Sequence, residues 1–176
     1  MCASESKLVI RPAQSLDREG IWRVLAPVLK AGETYALPRR WGRRQALGYW
    51  MAVEHRVFVA ESSDGEIVGT FYLQDNQSGG GRHVGNACFV ASPGYGAGRQ
   101  MGEFALKEAQ ALGYRAMQFN FVVSTNDRAI ALWKRLGFRV VGTLPSAFNH
   151  PERGYVDAFV MWKELLPSEQ QAPGAA

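Results

Sequence analysis

The sequence predicts a single α/β (α+β) domain over residues 1–166: a mixed central sheet of about seven strands, antiparallel in its N-terminal part with a parallel central pair, flanked by about four helices. Three observations point there. Residues 56–61 and 67–74 are short runs rich in β-branched and aromatic residues, joined by Ser62-Ser63-Asp64-Gly65, which is the pattern of an antiparallel hairpin. From residue 99 onward helix-like and strand-like stretches alternate, an order that needs right-handed crossovers and hence a parallel pair. Between the two halves stands Ser92-Pro93-Gly94-Tyr95-Gly96-Ala97-Gly98-Arg99, a glycine-rich turn from strand to helix.

The elements follow in order. Residues 7–11 read as a short strand; after Pro12, Ile21, Val24, Leu25 and Val28 share one face of a helix over about 17–29, which Gly32 stops. A loop over 32–38 leads to a second helix over 43–53 with Leu47, Trp50 and Met51 on its apolar side. Past the hairpin, 75–82 is a loop and 83–90 the strand that feeds the glycine turn. The helix over 99–112 carries Met101, Ala105, Ala109 and Leu112 in one stripe and ends at Gly113. Residues 116–123 form the strand expected to lie parallel to 84–90. Ser124-Thr125-Asn126-Asp127 offers caps for a helix with Ala129, Ile130, Trp133 and Leu136 inward, ended by Gly137. Residues 138–143 and 155–163 are the closing strands, and 167–176 read as a disordered polar tail.

The 176 residues are 47% hydrophobic and 20% charged, enough for a core that needs no disulfide staples. No apolar run approaches the roughly 18 residues of a membrane span, and the N-terminus lacks a basic-then-apolar leader, so a cytoplasmic location is expected. Cys2 and Cys88 predict no structural disulfide; Cys88 reads as packing, because no Cys/His pattern supplies a base for a nucleophile. His55, His83 and His150 lack metal-ligand spacing, and no metal is expected. The net charge of +4 includes one basic cluster, Arg39, Arg40, Arg43 and Arg44. It has no interleaved aromatic platform, so neither nucleic acid nor membrane is an expected partner, whereas a mild positive field suits an anionic small ligand.

The glycine turn is a candidate diphosphate cradle. Glycine accepts positive φ and lets a ligand approach the backbone, and the first amides of the helix it opens point at whatever sits above them. No Gly-Lys-Ser/Thr follows, and Gly94, Gly96 and Gly98 do not make GxGxxG, so two better-known phosphate loops are excluded. The plainer alternative is a strand-to-helix turn with no ligand.

The order of elements resembles the GNAT acyltransferase superfamily over about residues 8–165. The most specific part is Asn126-Asp127-Arg128-Ala129-Ile130-Ala131-Leu132-Trp133-Lys134-Arg135-Leu136-Gly137-Phe138, which resembles that superfamily's Asn-x-x-Ala-x-x-Leu-Tyr-x-x-x-Gly-Phe. A closer likeness is to the proline-analogue N-acetyltransferases of yeasts, which acetylate azetidine-2-carboxylate. It lies in Gly32-Glu33-Thr34-Tyr35, in Gly69-Thr70-Phe71-Tyr72, in Asn86-Ala87, and in Phe119-Asn120 through Thr125-Asn126, with Val156-Asp157-Ala158 further on. The resemblance implies a cosubstrate, acetyl-coenzyme A. Its diphosphate would lie on the turn at Gly94, Tyr95, Gly96, Ala97, Gly98 and Arg99, and its remaining contacts would be Phe89, Val90, Asn126, Ala129 and Trp133. It further implies an acceptor site at Thr34, Tyr35, Tyr72, Asn86 and Asn120. Two departures stand out. The turn is about three residues shorter than the superfamily's Arg-Gly-x-Gly-x-Gly loop, and Trp133 occupies the place of the tyrosine that protonates the leaving thiolate. An indole N–H cannot serve as that acid.

The implied reaction is direct attack of a neutral amine on the thioester. Asn86, Val90 and Tyr35 are the candidate catalytic residues: Asn86 orients the acceptor, a backbone N–H near Val90 holds the oxyanion where the strand splays, and Tyr35, Tyr72 and Tyr155 are the alternatives to Trp133 as acid. For the base no residue stands out; Glu33, His83 and His150 are the candidates, each with surface or core packing as its plainer role. The expected activity is N-acetylation of a small molecule, an amino acid or proline analogue such as azetidine-2-carboxylate. The alternatives are a protein or peptide N-acetyltransferase, or a non-catalytic protein of the same fold that binds an acyl-coenzyme A. Strand edges near 155–163 offer a pairing surface for a homodimer.

Overall fold

A computed structural model describes residues 7–166. The predicted tail over 167–176 and Cys2 lie outside the described residues. The chain runs β1 (Val9–Pro12), α1 (Arg18–Ala31), α2 (Arg43–Trp50), β2 (Arg56–Glu61), β3 (Ile67–Asp75), β4 (Val84–Ala91), α3 (Ala97–Ala111), β5 (Ala116–Val123), α4 (Asp127–Arg135), β6 (Arg139–His150) and β7 (Gly154–Glu164). One seven-stranded sheet has the order β1-β2-β3-β4-β5-β7-β6, and its single parallel pairing is β4 with β5.

The strands are apolar on both faces because helices cover both. Against one face, Phe71, Leu73, Met117 and Phe119 pack with Met101, Ala105 and Trp133 from α3 and α4. Against the other, Val59, Tyr72 and Val90 pack with Ile21, Leu25, Leu47 and Trp50 from α1 and α2. Trp50 also ties α2 down by polar contacts. Its indole Nε1–H donates to Thr70 Oγ1 at 3.0 Å, and that hydroxyl donates to the Phe58 carbonyl at 2.9 Å. Helices α3 and α4 approach closely at Gly102, where a Cβ would come within 2.6 Å of Leu136 Cδ1 and 3.2 Å of the Trp133 ring.

Three boundaries and one sheet edge depart from those expected. Helix α2 stops at Trp50, and Val53 is fully exposed beyond it. Helix α3 begins two residues early, at Ala97, because Gly96 takes the left-handed conformation (φ 66°) as its N-cap. Strand β6 continues past Thr143 to His150, its pairing with β7 carried across a bulge at 145–147. Strand β7 is internal, paired with β5 on one side and β6 on the other, so residues 155–163 offer no edge; the sheet's edges are β1 and β6.

Candidate functional site

The parallel pairing of β4 and β5 holds for only two residue pairs, Val84 with Ala116 and Gly85 with Met117, and then the strands part. The gap they leave separates two cavities that meet at a shared wall. The larger, of about 930 Å³, is lined by Phe89 to Pro93, by Gly96 to Arg99 at the start of α3, and by Arg128, Leu132 and Arg135 of α4. The smaller, of about 340 Å³, is lined by Tyr49, Tyr72, Gln74, Asn86, Cys88, Asn120 and Phe121 among others. Thr34, Tyr35, Phe89, Asn126, Ala129 and Trp133 belong to both.

The ladder between β3 and β4 decides which β4 backbone groups face the gap. Asn76 N–H donates to Val84 C=O and Ser92 N–H to Val68 C=O, both at 2.8 Å. The register between them is unbroken, so bonded pairs alternate with unbonded ones and Thr70 with Val90 is a bonded pair. The Val90 N–H therefore points into the sheet, at Thr70. The amide and carbonyl that face the gap are those of Phe89, and the Tyr35 hydroxyl donates to the Phe89 carbonyl. The gap-facing amide nearest to the one expected at Val90 is thus that of Phe89, one residue earlier.

The larger cavity has the shape of an anion site at its upper end. No side chain caps the N-terminus of α3, and the backbone there is bare of Cβ at Gly96 and Gly98. Of the residues expected on this turn, Gly96, Ala97, Gly98 and Arg99 line the cavity. Gly94 and Tyr95 do not, and Tyr95 is 43% exposed. Asn126 caps α4, its Oδ1 accepting from Ala129 N–H at 3.2 Å.

In the smaller cavity, Asn86 is buried and its Oδ1 accepts from Ala87 N–H at 2.8 Å, which leaves the amide NH2 as the group it can offer. The run Phe119 to Val123 of β5 forms one wall of the cavity, and within it the strand register shifts between Phe119 and Val122. The Asn120 amide is already engaged, Oδ1 accepting from Gln118 at 2.7 Å and Nδ2 donating to Asn76 at 2.6 Å. Burial raises the Tyr35 and Tyr72 phenols well above the usual range and also pushes the Cys88 thiol up, so Cys88 is no thiolate nucleophile. Trp133 packs between Phe89 and Phe119, with ring centroids 4.9 and 4.8 Å away.

The structure keeps Glu33, His83 and His150 out of both cavities, which removes the three candidate bases. Glu33 and His83 are exposed, and the His150 Nδ1 accepts from the Glu152 and Arg153 amides at 3.2 and 3.3 Å. Tyr155 is 74% exposed and lines neither cavity, which removes it as an acid. The basic cluster is likewise elsewhere: Arg43 pairs with Glu19 at 3.0 Å and Arg39 donates to the Lys30 carbonyl at 3.1 Å. Sequence reasoning missed Gln74, Arg128 and Arg135 and read Tyr49 only as bulk. The seven-residue spacing of Arg128 and Arg135, two turns of one helix face, was the signal available for that pair.

No helix among the described residues is long and apolar enough to cross a membrane. Solved structures of the same fold include one from Salmonella typhimurium named yncA, a putative acetyltransferase with its cofactor acetyl-CoA. It is 24% identical with a TM-score of 0.79, and the match covers 97% of this chain and 100% of that one. A GCN5-related N-acetyltransferase from Kribbella flavida is nearer, at 38% identity and a TM-score of 0.86 over 93% of this chain and 100% of that one. The N-acetyltransferase aca1 of Schizosaccharomyces pombe is 35% identical over 110 residues, which is 60% of this chain and 52% of that protein. The chain therefore spans about half the length of that curated relative. The model of the acetyltransferase (GNAT) family matches residues 22–138, across the gap, the uncapped helix and the shared wall, and the chain belongs to that family.

Proposed function

We propose that the chain is an acetyl-coenzyme A-dependent N-acetyltransferase whose acceptor is a small amine, an amino acid or proline analogue such as azetidine-2-carboxylate. The observation that carries this reading is the meeting of two unlike cavities at the β4/β5 gap, one headed by an uncapped helix N-terminus and flanked by arginines, the other small and lined by rings and amides. The residues fit the cosubstrate. The amides of Ala97, Gly98 and Arg99 suit its diphosphate, and the gap beside Phe89 suits an extended arm with amides of its own. Bound there, acetyl-coenzyme A supplies a thioester carbonyl for the amine to attack and a thiolate to depart.

In this reading the Phe89 N–H, facing the gap, is the donor for the oxyanion. The Asn86 NH2 holds a carbonyl or carboxylate oxygen of the acceptor, and its Oδ1 is not offered to the amine because Ala87 occupies it. Thr34, Tyr35, Tyr72 and Asn120 enclose the acceptor, and Phe89, Val90, Asn126, Ala129 and Trp133 form the wall shared with, or next to, the cosubstrate. Trp133 excludes water and carries no acid function; with a thiol pKa of about 8.5, solvent suffices to protonate the leaving group. A cavity of about 340 Å³ favours a small acceptor over a peptide.

The test is thiol release from acetyl-coenzyme A against a panel of azetidine-2-carboxylate, proline, other free amino acids, glycinamide and short peptides. Turnover on free amino acids or their cyclic analogues, with none on peptides, is expected. Absence of turnover on every acceptor, together with no calorimetric binding of coenzyme A, would sink the reading.

A further inference from the structure

The acceptor cavity has no base in its wall. None of its lining residues is an aspartate, glutamate, histidine, lysine or arginine, yet an amine protonated at neutral pH must lose a proton before it can attack. The Tyr72 hydroxyl stands in that wall, 3.3 Å from the hydroxyl of Tyr49, which lines the same cavity and is 38% exposed where Tyr72 is buried. We propose that Tyr72 and Tyr49 form a two-hydroxyl relay that carries the amine proton from the acceptor cavity to water. The proposal rests on the acetyltransferase reading above.

The step balances without any further reactant. The N–H bond of the ammonium breaks first, leaving its electron pair on nitrogen to attack the acetyl carbonyl, and that proton passes to Tyr72 Oη; the second N–H proton, released once the C–N bond has formed, is balanced by the one solvent returns to the departing thiolate. The proton already on Tyr72 passes to Tyr49 Oη, and the one on Tyr49 passes to solvent. Both hydroxyls end neutral, one proton having moved through each. A phenol suits this because its oxygen donates and accepts at once. Burial, with Cys88 and Tyr49 adding to it, keeps the Tyr72 phenol protonated throughout, so it passes protons on without storing charge. A separation of 3.3 Å is longer than the usual O–H···O distance of about 2.8 Å, as catalytic contacts often are before substrate is bound.

The two rings are held for this position. His55 stacks on the Tyr72 ring with centroids 3.8 Å apart and planes within 5°, and Trp50 meets it edge-on at 4.9 Å. The His55 ring is itself fixed, with Nδ1 3.1 Å from the Trp50 carbonyl, and Tyr49 packs against both His55 and Trp41. The titratable groups that face the pair are His55 against the Tyr72 ring, Cys88 of β4 opposite Tyr72 in the strand register, and Tyr35 across the same cavity.

The test is Tyr49→Phe in the full chain, with kcat and kcat/KM measured across pH for the most and the least basic amines that wild type accepts, azetidine-2-carboxylate and glycinamide being tried first. The expected result is a loss of about tenfold or more at pH 7 for the more basic amine, fading once the pH exceeds that amine's pKa, with little loss for the weaker one and an unchanged coenzyme Kd. A loss equal at every pH and for both amines, or no loss, overturns the relay. A second measurement needs no variant: the solvent isotope effect of wild type in mixed light and heavy water should curve, since two or more protons move together, and a linear dependence overturns the proposal. Wild type inert toward every amine takes down the acetyltransferase reading and the relay with it, whereas an active wild type with an unaltered Tyr49→Phe profile takes down the relay alone.

Discussion

The Asn86 Oδ1 is taken by the next amide of its own strand, so in the proposed reading only its NH2 is offered to the acceptor. Asn86→Ala should raise the acceptor KM about tenfold, the worth of one or two hydrogen bonds, with coenzyme Kd unchanged in calorimetry. Asn86→Asp should be worse for an anionic acceptor, because a carboxylate in that place cannot donate and repels a like charge. At this scale motif likeness in the sequence pointed to Asn86, Tyr35 and Trp133, which line the cavities. It could not carry the identity of the inward amide. Whether Phe89 or Val90 faces the gap depends on the parity of a ladder anchored at Asn76–Val84 and Val68–Ser92, and no residue pattern encodes that parity. Tyr49 was obscure for a similar reason, its hydroxyl gaining meaning only from the strand that brings Tyr72 beneath it.

Among the elements, α4 and α2 are held by different means, and each makes its own prediction. Helix α4 rests on the ring of Trp133, so Trp133→Phe should keep kcat within a few-fold, while Trp133→Ala should cost about 3–5 kcal/mol in urea unfolding through the cavity it leaves. A large loss of kcat in the phenylalanine variant with stability intact would show that the indole N–H has a chemical part after all. Helix α2 depends on Thr70, and Thr70→Val strands the Trp50 N–H in the core, for a loss of about 1–3 kcal/mol that Thr70→Ser should largely recover. Strand and helix order was legible throughout, because hydrophobic period and glycine stops agree along this chain. The ends were less so. The extension of β6 runs through Pro145 and Ser146, the latter at φ 51° with its amide donating to Asp157 at 2.8 Å, and a strand broken by such a bulge shows no regular alternation.

Across the whole molecule, the N-terminal strand is tied in by charge. Arg11 donates to Asp17 at 2.8 Å and to Glu61 at 2.6 Å, and these bonds hold the Asp17 carboxyl below its ordinary range and the Arg11 guanidinium above its own. Because the native pKa of Asp17 is depressed, its contribution to stability is complete above the unfolded carboxylate pKa near 4 and is lost as the pH falls through the lower native value. Asp17→Asn should therefore lower the unfolding free energy by about 2 kcal/mol at pH 7 and flatten its decline between about pH 5 and 2. Coenzyme A at about 100 times its Kd should in turn raise stability by about 2.7 kcal/mol, read as a shift in Tm of several degrees. The seam between β4 and β5 has a mechanical consequence. A sheet zipped by only two residue pairs at its midline is two half-sheets sharing a hinge at Val84 and Gly85, and an extended cosubstrate arm laid along the seam would act as the missing stitching. The Phe89 and Ala91 amides should then exchange with deuterium quickly in the free protein and slowly once coenzyme is bound, so that the breathing of the two halves reports occupancy of the site.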